Sequence, residues 1–237
     1  MALNGLLEKS PATLPILQAT FGLERESLRI GKDHRIAQTD HPACLGSRSF
    51  HPYIQTDYSE AQLELITPIA HSTKEALRFL GALTDVAGRS IDKSEYLWPL
   101  SIPPKLCETD IHIAKLEDDY ECYYRKHLAD VYGKTLQSMS GIHFNMELGK
   151  DLVASLFKES GYQSIIDFKN DIHLKLAQNF LRFRWLLTYL YGASPIAEEG
   201  FFSKTLAKPV RSIRNSHLGY VNHKDIQVSY ESLEKYI

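Results

Sequence analysis

Cysteine is scarce. Cys44, Cys107 and Cys122 form no Cys-x-x-Cys pair and no even framework, which argues for a reducing compartment over a secreted disulfide scaffold. The N-terminus, Met1 to Lys9, has no basic segment leading into a long apolar core, so it carries no signal-peptide pattern, and a cytoplasmic protein is expected. Long apolar runs are missing too. The most apolar, Trp185 to Tyr191, falls far short of the ~20 residues that cross a bilayer, and it is expected to be a core helix. A formal charge of -2 leaves no general excess of basic surface, which argues against a general nucleic-acid binder. Three common enzyme signatures are absent: the phosphate-binding G-x-x-x-x-G-K-S/T loop, the dinucleotide G-x-G-x-x-G turn and the G-x-S-x-G elbow. Cysteine catalysis has no clear candidate.

Carboxylates in strand-like sequence remain. The segment from about Gln18 to Ile30 reads as a strand, after a short helix over 3–9 and breaks at Pro11 and Pro15. Alternation places Glu24 and Glu26 on one face, where two charges roughly 7 Å apart repel by about 2 kcal/mol at an effective dielectric near 20. A positive charge between them is expected, either a neighbouring arginine or a cation. Gly31 to His34 reads as a turn into a returning strand, Arg35 to Gln38. Ile54 to Tyr58 and Gln62 to Thr67 form the next pair, with Leu63 and Leu65 on one side and Glu64 on the other. In Leu136 to Met146, His143 and Asn145 share a face, and Met139, Ile142, Phe144 and Met146 are expected to pack.

The helices read clearly. Ser72-Thr73-Lys74-Glu75 is a capping box opening a helix to about Arg89, with Ala76, Leu80, Leu83 and Ala87 on its packing face. Further helices are expected from Leu116 to Tyr132, from an Asp151 cap to Gly161, and from Ser164 to Tyr191, the last stopped by Gly192 and Pro195. Its aromatics Phe180, Phe183, Trp185 and Tyr189 are expected in the core. Val210 to Tyr220, with Arg211, Arg214 and Gly219, has the composition of a binding loop. The chain stops on Ile237 soon after a last helix opens, with no polar tail, so the coded sequence is expected to continue.

Carboxylates with one His and one Asn suit Mg²⁺ or Mn²⁺ better than a structural zinc, and hard cations on an open sheet usually mean phosphate chemistry. From the residues alone, the expectation is a metal-dependent, nucleotide-using enzyme.

Ordered motifs sharpen this. Gly22-Leu23-Glu24-Arg25-Glu26-Ser27-Leu28-Arg29, Thr56-Asp57-Tyr58-Ser59-Glu60, Leu63-Glu64-Leu65-Ile66-Thr67-Pro68, Trp98-Pro99-Leu100-Ser101, Ser140-Gly141-Ile142-His143-Phe144-Asn145, Tyr191-Gly192-Ala193-Ser194-Pro195 and Leu218-Gly219-Tyr220 resemble the bacterial glutamate–cysteine ligase family. Residues 14–20 and 215–224 look closer still to the ligase part of bifunctional glutathione-synthesising proteins.

The resemblance implies ATP- and Mg²⁺-dependent joining of L-glutamate to L-cysteine, the first step of glutathione biosynthesis. It implies metal ligands at Glu24, Glu26, Asp57, Glu64 and His143, with Asn145 beside them. Tyr58, Tyr124, Leu128 and Tyr220 would shape the cysteine pocket. Gln137, Met139 and Arg214 would contact glutamate, where the planar fork of Arg214 matches a carboxylate, and Arg214 would also be the catalytic group. The implied fold is α+β, a glutamine-synthetase-like, mainly antiparallel sheet with helices outside. Residues 1–237 would be the N-terminal part of one catalytic domain, incomplete at its C-terminus, because such ligases run to roughly twice this length. Alone, the fragment is expected to be inactive or severely impaired. The competing readings are another carboxylate–amine ligase or a phosphagen-kinase-like enzyme on a similar fold, and a metal-binding fragment without catalysis.

Overall fold

The computed structural model describes residues 19–202, 208–219, 221 and 228–236. The expected helix over 3–9, Gln18 and Tyr220 lie outside them. The chain divides into two compact units, one of residues 22–145 and 192–221, the other of residues 1–21, 146–191 and 222–237.

The first unit is organised by a long strand, β1 (Thr20–Gly31), whose Ser27, Leu28, Arg29 and Ile30 are all buried. β2 (Ile54–Thr56) and β3 (Gln62–Ile66) pair antiparallel as expected, and β3 pairs antiparallel with β1 so that Glu64 lies opposite Glu26 and Gln62 opposite Leu28. β4 (Glu95–Leu97), which the sequence pattern did not announce, pairs with the end of β1, and β5 (Ile142–Glu147) also pairs with β1.

Period-two alternation then sends the two faces to different work. Leu63 and Leu65 join Leu45, Ile54, Ala87 and Ile91 in a core cluster, covered by Leu80 and Leu83 of helix α1 (Thr73–Ser90). At the start of α1 the Ser72 half of the expected capping box forms, Ser72 Oγ accepting from Glu75 N at 3.2 Å, whereas the Glu75 carboxylate accepts from His71 N, one residue before the cap. On β1, Leu28 and Ile30 join Ile36, Tyr58, Ala61 and Ile111 in a second cluster, against which Leu128 of helix α2 (Asp119–Tyr132) packs.

Two local expectations need correction. Arg35 to Gln38 forms no strand, only a single bridge from Ile36 to Ile30, because the chain leaves β1 after one narrow turn. Leu136 and Gln137 belong to a one-turn helix, α3 (Lys134–Gln137), not to β5; Gly133, at φ 80°, ends α2 and redirects the chain.

A buried polar knot ties the loops to this sheet. Glu60, 4% exposed, accepts from His41 N and Lys115 N, both at 2.9 Å, and pairs with Arg48 at 2.9 Å. The His41 ring is buried and bonds Thr56 Oγ1 at 2.8 Å through Nδ1. Burial first, and then the charges of Arg48 and Arg29, hold its pKa below the ordinary 6.5. His41 therefore contributes stability above pH 6.5 that is lost as pH falls towards its folded pKa. Wild type and His41→Gln compared by urea unfolding isolate this group from others that titrate nearby: between about pH 7.5 and 5.5 the wild type should lose more unfolding free energy than the variant, by at most about 1.4 kcal/mol per pH unit. The same pH dependence in both would remove His41 as a source.

In the second unit, α4 (Lys150–Ser160) and α5 (Ile165–Tyr191) pack through Leu152, Val153, Leu156, Phe168 and Ile172. Gly149, not Asp151, caps α4, and Gly161 closes it at φ 78°. At about 1.5 Å per residue α5 runs to about 40 Å and α4 to about 16 Å, so α4 can cover only part of α5. Phe180, Phe183, Trp185 and Tyr189 are accordingly 52–69% exposed, which corrects their placement in the core. Helix α6 (Leu233–Tyr236) completes the described residues, and among them no helix is long and apolar enough to cross a membrane.

Candidate active site

Glu24 and Glu26 project from the same face of β1, and β5 brings a matching polar pair. Asn145 Nδ2 donates to Glu24 Oε1 at 2.9 Å, and the His143 ring bonds Glu26 Oε1 at 3.0 Å through Nε2. The two rungs run in opposite senses along the two strands, as antiparallel neighbours require. Gly141 N donates to the other oxygen of Glu26 at 2.7 Å, and Glu26 N donates back to Gly141 O at 3.0 Å. The loop after residue 210 adds Arg214, whose Nη1 donates to Met139 O at 2.7 Å and lies 3.5 Å from Glu26 Oε2. Its Nη2 lies 3.4 Å from His143 Nε2.

Charge explains the arrangement. Burial pushes the Glu26 carboxyl up, but the His143 hydrogen bond, the Arg214 charge and Gly141 N–H outweigh it and leave the pKa lowered. The same Glu26 hydrogen bond raises the His143 pKa. Asp57 and Glu64 have too little of such compensation. Asp57 is pushed to about 6 by burial and then by Glu26; its backbone carbonyl, not its carboxylate, receives Arg125 Nε at 2.7 Å. Glu64 is pushed to about 7 by burial and then by Asp57, Glu26 and Glu24. Four carboxylates thus share one electrostatic neighbourhood, and two are driven towards neutrality for want of positive charge.

That donor set suits a hard divalent cation, which takes carboxylate oxygens. Among the described residues, however, no three His, Cys, Asp or Glu side chains converge closely enough to hold a metal ion. The geometry says why: Glu26 is committed to Gly141, His143 and Arg214, and Glu24 to Asn145.

The other residues singled out in the sequence are spread around this centre. Tyr58 is 3% exposed and shares a core cluster with which Leu128 packs. Tyr124 lies one turn before Leu128 on α2 and is 47% exposed. Met139 is buried and serves Arg214 through its carbonyl, while Gln137 is buried with no partner for Nε2 among the described residues. Ile142, Phe144 and Met146, expected to pack, are 49–71% exposed. Sequence reasoning missed Gly141 and Arg125, whose contributions are a backbone N–H and a bond to a backbone carbonyl; only the Ser-Gly-Ile-His run pointed at the first.

The model of the glutamate–cysteine ligase family matches residues 5–237. This chain belongs to the glutamate–cysteine ligase family. Among curated relatives, the glutathione biosynthesis bifunctional protein GshAB of Streptococcus mutans is 68% identical over 238 residues, covering 100% of this chain and 32% of the relative. The GshAB of Pasteurella multocida is 44% identical over 243 residues, covering 100% of this chain and 32% of the relative. This ligase-family chain therefore spans about a third of the length of the curated relatives it matches.

Solved structures agree on the fold. A bifunctional glutathione synthetase from Pasteurella multocida superposes with a TM-score of 0.86 at 45% identity, over 93% of this chain and 30% of that one. A glutamate–cysteine ligase from Francisella tularensis in complex with AMP gives 0.85 at 31%, over 92% and 46%. The expected α+β class, with helices around a mainly antiparallel sheet, is borne out on the ligase fold.

Proposed function

We propose that this chain supplies the glutamate- and metal-binding side of an ATP- and Mg²⁺-dependent glutamate–cysteine ligase. ATP transfers its γ-phosphoryl group to the γ-carboxylate of L-glutamate, releasing ADP. The amine of L-cysteine then attacks the acyl carbon, the C–O bond to phosphate breaks, and γ-glutamylcysteine and inorganic phosphate leave as the amine sheds its proton. The observation that carries this reading is the four-carboxylate neighbourhood, with Asp57 at about 6 and Glu64 at about 7, set beside an arginine in a chain of this family.

Glu24, Glu26, Asp57, Glu64 and His143 would hold the cation, Mg²⁺ or Mn²⁺, only after Glu24 and Glu26 exchange their present hydrogen bonds for it. When bound, it neutralises phosphate charge that four carboxylates would otherwise repel. Arg214, fixed through Nη1 on Met139 O, would present its remaining donors to the glutamate carboxylate, with Gln137 and Met139 as further glutamate contacts and Asn145 orienting Glu24. Tyr58, Tyr124 and Leu128, together with Tyr220, would shape the cysteine pocket. The AMP bound by the Francisella relative supports a nucleotide partner. The 237 residues act as the N-terminal part of one catalytic domain, and the free thiols Cys44, Cys107 and Cys122 suit a reducing cytoplasm.

The test is phosphate release by the intact enzyme with ATP, Mg²⁺ and glutamate, with and without cysteine. Release that depends on cysteine is expected. Release with glutamate alone, or with other amines equally, would reassign the acceptor and favour another carboxylate–amine ligase.

A further inference from the structure

The guanidinium of Arg214 rests directly on the backbone of Gly141. A Cβ built at Gly141 would lie 2.6 Å from Arg214 Cζ and Nη2 and 2.7 Å from Nε, all three inside the closest approach that carbon atoms tolerate. The atoms in the way are the far end of a flexible side chain, so a methyl group there displaces the arginine and leaves the strand intact. Gly141 also binds Glu26 through both of its backbone polar groups, which fixes its own position. Gly219, by contrast, approaches the backbone of the loop so closely that a Cβ would meet Arg214 O at 2.2 Å and Ile213 O at 2.6 Å. Substitution there clashes with backbone and disturbs the loop itself.

We infer that Gly141 is a positioning residue whose missing side chain forms the seat for Arg214, and that this seat aims the guanidinium at an acidic substrate. The physical chain is short. The seat sets the plane of the guanidinium, and Met139 O with Glu26 takes up Nη1. Nε has no hydrogen-bond partner among the described residues and Nη2 has only its long 3.4 Å contact with His143 Nε2, so the Nε/Nη2 edge is the one left for a ligand. That edge, with two parallel N–H groups, matches a carboxylate in a bidentate pair. An arginine pushed off its seat loses that alignment while keeping its charge. A nonspecific electrostatic role would survive the change; a directed one would not.

The identity of the substrate as glutamate rests on the proposed ligase function, so the experiment separates the two. In the intact enzyme, Gly141→Ala should raise KM for glutamate about ten- to hundredfold, the size of one charge-assisted contact, with kcat changed less than about threefold. KM for ATP should hold, and the melting temperature should stay within a few degrees. In an Arg214→Ala background, the same Gly141→Ala change should add nothing, because the group it displaces is gone. A crystal structure of Gly141→Ala should show the guanidinium moved by more than about 1 Å, the scale of misplacement that matters at a reacting site. An unmoved arginine, an unchanged KM or additive effects in the double variant would overturn the inference. Wild-type enzyme with no glutamate-dependent phosphate release would instead overturn the ligase reading, leaving the crystal structure to decide the seat on its own.

Discussion

Glu26→Gln should cut turnover of the intact enzyme about 10²- to 10³-fold, the scale of losing one preorganised electrostatic contact, while its melting temperature moves by only a few degrees. The carboxylate accepts from Gly141 N and His143 Nε2 and pairs with Arg214, with its side chain 8% exposed. An amide of the same shape has one acceptor oxygen for two strong donors, so its NH₂ group must face either His143 or the Gly141 N–H. The charge that organises His143 and Arg214 is lost, and so is one candidate cation ligand. Stability changes little for a reason visible in the neighbours. Glu26 is among the charges that push up both Asp57 and Glu64, so neutralising it relieves repulsion and offsets the weakened hydrogen bonds. Steady-state phosphate release and a thermal melt on the same samples decide the matter. A fall of ten degrees accompanied by a proportional loss of folded enzyme would make Glu26 a structural residue and sink its assignment to the site.

The way this site could be read from the sequence follows from the range of each interaction. Alternation is local, so Glu24 with Glu26, and His143 with Asn145, were assignable to shared faces, and Glu64 to the face away from Leu63 and Leu65; that β3 pairs with β1 and sets Glu64 opposite Glu26 is a long-range fact that only the structure supplies. The capping box at Ser72 was equally local. Alternation says which side chains share a face, not what covers that face, and this is why Ile142, Phe144 and Met146 were expected to pack although they are 49–71% exposed. The start of β5 was missed because a positive-φ glycine at 133 resets the chain into one helical turn, a backbone event that apolar spacing does not record. Arg214 reaches Met139 across 75 positions of sequence, and no periodicity carries that far; only the resemblance to the family put it in the site. The role of Gly141 depends on a side chain that is not there, and it becomes visible only when the distance to Arg214 is measured.

Arg29→Met should destabilise the protein by about 3–5 kcal/mol, lowering the melting temperature of a domain of this size by about 6–20 °C. Arg29 is 1% exposed, three residues beyond Glu26 on the same strand. Its Nη1 pairs with Glu95 Oε2 at 3.0 Å and bonds Thr39 Oγ1, while Nη2 donates to Thr39 O at 2.7 Å and Glu60 O at 2.9 Å. One guanidinium therefore pins β4, the loop at 39 and the turn between β2 and β3 to β1. Methionine fills a similar volume but leaves the Glu95 side chain, 4% exposed, as a buried charge without its counter-ion, and strips a donor from the buried Glu60 carbonyl and another from the part-buried Thr39 carbonyl. Most of the cost lies in the abandoned partner rather than in the pair itself. Arg29→Met with Glu95→Leu should therefore recover more than half of the lost stability, although the single change does not. Equal melting temperatures for the single and double variants would show that the orphaned carbonyls, not the unpaired carboxylate, set the cost.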